Sequence, residues 1–250
     1  VSYPEMVRMA GGVPVMVKGD EANGFLVDAD ALRPHVTERT KALILNSPNN
    51  PSGSVCSRAL LEGIAALAVE KQFYVISDEI YEKLIYDGEA HVSIASLGDE
   101  IRAQTIVVNG VSKSYAMTGW RIGYAAGPKA VIRAMTAFQS HSTSNPNSIA
   151  QHAAAVALTN GEKFMHDSLV EFDARRRLMH QLISEIPGLS AALPKGAFYM
   201  MLNISALIGK SLNGRAIRGS DDFAEMLLES QKVAVVPARA FGDDRYVRLS

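Results

Sequence analysis

Cysteine is almost absent. Cys56 is the single one in 250 residues, so no intramolecular disulfide can form and no thiolate zinc site is available. That usage sets the cytoplasm as the expected compartment. Charge imbalance is lacking too: lysine plus arginine total 25 against 26 aspartate plus glutamate, which offers no global field to recruit nucleic acid or an anionic membrane. No apolar run reaches the roughly eighteen residues that suggest a membrane span. The opening residues Val1-Ser2-Tyr3-Pro4-Glu5 lack the basic and apolar regions of a signal peptide. Six histidines occur without HExxH or paired ligand spacing, so no metal is expected. GxGxxG and GxSxG are missing, which removes the dinucleotide fingerprint and the hydrolase nucleophile elbow. Gly209-Lys210-Ser211 looks like the end of a P-loop, but Ile204 stands where that motif needs its first glycine. The 48 % apolar and 20 % charged composition is that of an ordinary globular chain with one large domain or two modest ones.

Short apolar, β-rich runs alternate with helical patterns. Val13 to Val17, Ala42 to Leu45, Phe73 to Ser77, Thr105 to Asn109 and Arg121 to Ala126 are the expected strands. Between the second and third, Arg58 to Lys71 carries Leu60, Leu61, Ile64, Ala65, Leu67 and Ala68 at helical spacing. Strand, helix, strand in this order implies an α/β fold with a mostly parallel sheet. Residues 147 to 185 read as mainly helical, broken near Asn160-Gly161, and after Pro187-Gly188 come a strand (Phe198 to Ile204), a helix (Asp221 to Gln231) and two strands (Ala234 to Pro237, Tyr246 to Ser250). A domain boundary is expected near residue 167, giving a large domain over 1–167 and a smaller α+β domain over 168–250. The chain starts in what reads as a turn and stops in a strand pattern, so it is expected to be part of a longer protein.

Ligands of open α/β sheets bind beyond the carboxyl ends of the strands. Three expected strand ends carry polar residues there: Asn46 to Gly53, Asp78-Glu79-Ile80-Tyr81, and Gly110-Val111-Ser112-Lys113. Taken singly, each has an ordinary explanation. Asp78 can cap a turn while Tyr81 packs, Asn50 can open a turn before Pro51, and Lys113 can be a solvated lysine. Together they offer a carboxylate for a protonated ring nitrogen, a phenol and an amide for a ring oxygen, a lysine for an aldehyde and an arginine, Arg121, for a phosphate. That set describes a pyridoxal phosphate site.

Asn50-Pro51-Ser52-Gly53, Ser77-Asp78-Glu79-Ile80-Tyr81, the block Ser112-Lys113-Ser114-Tyr115-Ala116-Met117-Thr118-Gly119-Trp120-Arg121-Ile122-Gly123 and the closing Tyr246-Val247-Arg248-Leu249-Ser250 resemble, in order, the signature of class I aminotransferases. The likeness is to the aspartate aminotransferase type, in the bacterial subgroup with aspartate/prephenate and aromatic enzymes. It implies fold type I and pyridoxal 5'-phosphate as cofactor. Position by position, it implies that Lys113 attaches covalently to the cofactor, that Asp78 keeps the ring nitrogen protonated, and that Tyr81 and Asn50 bond the ring oxygen. Arg121, with Ser112, is implied for the phosphate. Arg248, with Asn50, is implied for the substrate carboxylate, held in a bidentate fork.

The activity so implied is ping-pong transfer of an amino group between an L-amino acid, aspartate or aromatic, and 2-oxoglutarate. A homodimer with shared active sites is the implied assembly. Relatives of this kind have further N-terminal segments, and a strand from there would sit between the Val13 and Ala42 strands. Ser140 occupies the position where animal-type aspartate enzymes carry an arginine for the substrate's side-chain carboxylate, which leaves the amino acid open. Two other readings use the same motifs: a pyridoxal phosphate β-carbon–sulfur lyase, and an aminotransferase-like ligand-sensing regulator.

Overall fold

A computed structural model describes residues 1–212 and 214–250. In chain order its helices are α1 (Ser2–Met9), α2 (Ala29–Leu32), α3 (Arg58–Lys71), α4 (Asp99–Arg102), α5 (Lys129–Ser142), α6 (Ser148–Asn160), α7 (Glu162–Ser184) and α8 (Ser220–Gln231). The strands are β1 (Ala42–Asn46), β2 (Tyr74–Asp78), β3 (Thr105–Gly110), β4 (Gly123–Ala126), β5 (Ser190–Ala191), β6 (Met200–Asn203), β7 (Ser211–Leu212), β8 (Arg215–Ala216), β9 (Val236–Pro237) and β10 (Tyr246–Leu249). The chain divides into two compact units, one of 1–26, 50–54 and 172–250, the other of 27–49 and 55–171. No helix among the described residues is long and apolar enough to cross a membrane.

The second of these units holds a sheet in the order β1-β2-β3-β4. β1 pairs with β2 and β2 with β3 in parallel, while β4 runs antiparallel on the far edge. α3 connects β1 to β2, as a parallel pair requires. The Ser57 hydroxyl caps it by accepting from Leu60 N–H, and Gln72 closes it in the left-handed conformation. Its apolar stripe buries Leu61, Ile64, Ala65, Leu67 and Ala68, and each large aliphatic side chain so buried contributes about 1.5–3 kcal/mol. The parallel register puts Asn46 opposite Asp78, and Asp78 opposite Val108. Three strand ends therefore finish level at one edge of the sheet.

The first unit holds a four-stranded antiparallel sheet, β5-β6-β10-β9. Strand alternation sorts β10 between two cores. Val247 packs with Met200, Leu202, Ile204 and Ile183, whereas Tyr246 joins Met201 and Ala238, with Phe25 and Phe241 against them. Arg248, two residues after Tyr246, shares its face.

The structure differs from the sequence reading in several elements. Val13 to Val17 is no strand, and Val13 and Val15 are exposed: alternation alone cannot make a strand, and no described strand lies alongside to pair its backbone. The chain opens on a helix, α1, instead of a turn. The short α2, α4, β5, β7 and β8 are additions to the expected elements, and so is α5. Pro128 stands immediately ahead of its first turn, and Met135 and Phe138 lie at helical spacing on it, both exposed.

Candidate active site

The expected functional residues fall into two groups, one in each unit. In the second unit, Asp78 is the last residue of β2. Its carbonyl accepts from Ser47 N–H at 3.2 Å and from Asn46 Nδ2 at 3.0 Å, which ties it to the end of β1. The next amide, Glu79 N–H, donates to the Val108 carbonyl at 2.9 Å and ties it to β3. The chain then turns: Glu82 N–H donates to the Glu79 carbonyl and Leu84 N–H to that of Tyr81. Asp78 Oδ1 accepts from Ile80 N–H at 3.2 Å, so the carboxylate does cap this turn, and Tyr81 is buried at 3 % exposure. Both ordinary explanations hold locally.

What they leave unexplained is Lys113. It lies in the turn after β3, half-buried, with Ser112 just ahead of it. Its Nζ stands 5.9 Å from the centre of the Tyr81 ring. A lysine amine over a buried phenol, in the turn that follows the strand next to a strand-end carboxylate, is not a solvated surface charge. The turn is compact because residue 110 is glycine: a Cβ there would come within 2.8 Å of the Ile122 carbonyl oxygen. Val111 and Ile122 then pack with Ala150 and Ala154 beneath it.

Arg121 follows in the left-handed region at φ 56°, and its Nη1 donates to the Thr118 carbonyl at 2.9 Å. With Trp120, Gln139, Thr143 and Asn145 it lines an open cavity of about 650 Å³. The guanidinium is exposed, a placement suited to an anion.

In the first unit, Arg248 projects from β10, and its Nη1 donates to Asn50 Oδ1 at 3.0 Å. Its guanidinium carbon lies 4.5 Å from the Tyr199 ring centre and 5.6 Å from that of Phe241. Nε is buried with no hydrogen-bond partner among the described residues. A buried, unsatisfied guanidinium N–H costs about 1–3 kcal/mol or more, and a fixed fork with an unused donor is the geometry that takes a carboxylate. The segment bearing Asn50 is held by Gly53, at φ 72°, whose carbonyl accepts from the amides of Lys195 and Gly196 at 3.0 and 2.8 Å.

Two features were not legible in the motifs. Tyr199 flanks Arg248 from far along the chain, and Phe241 from the segment just ahead of β10. Glu79, beside Asp78, is 3 % exposed yet carries three hydrogen bonds: from Ser77 Oγ at 2.8 Å, Ser93 Oγ at 2.7 Å and His91 Nε2 at 2.9 Å. Burial pushes its carboxyl pKa up, but the bonds from His91, Ser93 and Ser77 outweigh that and hold it below the ordinary value. Glu79, Glu82 and His91 bring donor atoms within 4.8 Å of one another, and Glu79 and His91 spend theirs on each other.

Comparison with known proteins adds to this geometry. The family described as "Aminotransferase class I and II" matches residues 1–250. The aspartate aminotransferase of Geobacillus stearothermophilus is 46 % identical over 250 residues, covering 100 % of this chain and 63 % of that protein. The aspartate/prephenate aminotransferase of Thermus thermophilus is 46 % identical over 253 residues, with 100 % and 62 % covered. Among solved structures, the aspartate aminotransferase from Rhizobium meliloti superimposes with a TM-score of 0.95 at 40 % identity, covering 100 % of this chain and 63 % of that one. The aromatic aminotransferase from Pyrococcus horikoshii gives 0.91 at 43 % identity, with 100 % and 65 % covered. The chain thus spans about 63 % of the length of the first of these relatives.

Proposed function

Because the chain belongs to the class I and II aminotransferase family, we propose that the protein it forms part of transfers an amino group between an L-amino acid, aspartate or aromatic, and a 2-oxo acid such as 2-oxoglutarate. The aspartate aminotransferase branch uses pyridoxal 5'-phosphate. The donor set fits such a group: a carboxylate, a buried phenol and a lysine amine on neighbouring strand ends, with Nζ 5.9 Å from the phenol ring centre. When bound, it supplies an aldehyde that takes up an amino group and a ring that withdraws electrons from the amino acid's Cα.

In this reading Lys113 would hold the cofactor through its aldehyde, and the lysine amine would carry the proton at Cα. Asp78 keeps the proton on the ring nitrogen. Tyr81 and Asn50 donate to the ring oxygen, and Arg121 with Ser112 grips the phosphate. Arg248 takes the substrate carboxylate, and so decides which bond at Cα is presented to Lys113. Residues 1–167 serve as the cofactor-binding domain and 168–250 as the smaller one. Transfer proceeds in two half-reactions by a ping-pong cycle, in a cytoplasmic homodimer with shared active sites.

The observation that carries this reading is Lys113, in the turn after β3, over Tyr81, in the turn after the strand that ends on Asp78. The relatives named above are aminotransferases, which does not favour the carbon–sulfur lyase. Borohydride reduction of the cofactor-loaded full-length protein, followed by peptide mass mapping, tests it. A cofactor-sized mass fixed on Lys113 is expected; the same mass on another lysine refutes the assignment. Product formed from an amino acid beyond one equivalent per bound cofactor, without any 2-oxo acid, would point to the lyase.

A further inference from the structure

Glu79 is the most buried carboxylate among the described residues, and the roles given above leave it unused. Three donors converge on it. Ser77 precedes it on the strand, while His91 and Ser93 arrive from a separate segment. Oε1 accepts from both serines and Oε2 from His91. A carboxylate has the acceptor capacity to satisfy all three at once; an amide offers one oxygen and would turn an NH2 toward a partner. Burying an acid this deeply is costly unless its bonds are complete, so a hydrophobic residue would be the ordinary occupant if packing were all that mattered.

The place of these bonds says what they hold. Asp78 and Glu79 are consecutive. The Asp78 carbonyl is tied to β1 and the Glu79 amide to β3. Those bonds fix the backbone at the strand end from two sides, and the Glu79 side chain adds a third by drawing the 91–93 segment onto it. Immediately beyond, the turn through Glu82 and Leu84 sets Tyr81, over which Lys113 stands. Any loosening at residue 79 is transmitted to the carboxylate one residue before it and to the phenol two residues after.

We propose that Glu79 is a positioning residue, whose bonds to Ser77, His91 and Ser93 hold Asp78 and Tyr81 in the geometry that the amino-transfer reaction needs. The proposal rests on the functional reading above. It assigns Glu79 no contact with substrate or cofactor, and His91 and Ser93 act through it. Small misplacements at a reacting centre are costly, with about 1 Å able to reduce a rate a hundredfold.

The test uses full-length protein and Glu79→Gln. With pyridoxal 5'-phosphate bound, the variant is expected to keep its covalent attachment, but the pH midpoint of its near-visible band moves up. A poorly held Asp78 leaves less positive charge on the ring nitrogen to favour proton loss nearby. The kcat is expected to fall about tenfold with the amino acid KM within about twofold. In cofactor-free protein, amide exchange speeds up over residues 78–81 while α3 stays protected. Ser93→Ala, which removes one bond and keeps the acid, should shift the midpoint in the same direction by less; if Glu79→Gln does not fold, this variant carries the test. An unchanged midpoint and unchanged exchange at 78–81 overturn the proposal. Failure of the wild-type protein to attach cofactor at Lys113 would instead overturn the functional reading beneath it.

Discussion

Replacing Arg248 with alanine is expected to weaken amino acid and 2-oxo acid binding together. The magnitude follows from what the side chain does in place. One nitrogen is committed to Asn50 at 3.0 Å, and the ring of Tyr199 lies 4.5 Å from the guanidinium carbon, so the fork is held before any ligand arrives. Little side-chain entropy is left to lose on binding. The buried Nε, unpartnered among the described residues, gains a bond when a carboxylate enters. Hydrogen bonds to a charged group contribute about 1.5–3 kcal/mol, which corresponds to a loss of roughly 10- to 150-fold in affinity. Arg248→Lys keeps the charge but not the fork, and should lie between wild type and alanine. The assay is titration of the cofactor-loaded full-length protein with the amino acid, the 2-oxo acid and a simple monocarboxylate, read by absorbance. All three constants should rise in parallel. Unchanged affinity for the monocarboxylate, or loss confined to one substrate, would refute carboxylate recognition by Arg248.

Lys113→Ala should bind pyridoxal 5'-phosphate without forming a covalent link, so that borohydride leaves the protein mass unchanged; a mass gain would refute its role. Gly53→Ala forces a side chain into the left-handed region and sets a Cβ 2.5 Å from that of Pro194 and 2.9 Å from the Gly196 carbonyl oxygen. It should destabilise the protein by about 2–5 kcal/mol, read from the urea midpoint. Asp222 accepts from Arg218 through Nε at 2.8 Å, Nη2 at 2.9 Å and the backbone N–H, bonds that lower its pKa from 3.8 to about 2. A folded-state pKa depressed in this way stabilises the fold above pH 3.8, and that stabilisation is lost as pH falls through about 2. Asp222→Asn should therefore lower the urea midpoint at pH 7, and the gap from wild type should close on acidification; a gap independent of pH would refute the linkage.

Regular elements were readable wherever periodicity and partner were both local to the chain. Arg58–Lys71 forms a helix with those bounds, because its stripe, its serine cap and its closing left-handed residue all lie within sixteen consecutive positions. Val13 to Val17 shows the limit: the alternation is present, but a strand is half of a pair, and nothing in a segment reports whether its partner is alongside. At the candidate site, strand-end placement led to Asp78, Tyr81, Lys113 and Asn50, and the family resemblance added Arg248; the structure places Asp78, Tyr81 and Lys113 within one unit and Asn50 and Arg248 within the other. The motifs could not show that Tyr199 and Phe241 enclose Arg248, since that depends on which side chains the fold brings to this face of β10. Glu79 was hidden differently. It sits inside a motif, yet its partners His91 and Ser93 lie twelve and fourteen residues on, with no periodic relation to it.

The central claim is amino transfer through Lys113. Its most direct test is the near-visible spectrum of the full-length protein with pyridoxal 5'-phosphate, recorded alone, after an amino acid, and after 2-oxoglutarate. Aspartate, glutamate and phenylalanine are tried in turn. The account predicts that the band of the bound cofactor disappears with at least one of them and returns on adding the 2-oxo acid. A band that forms and then responds to none of these additions would contradict it.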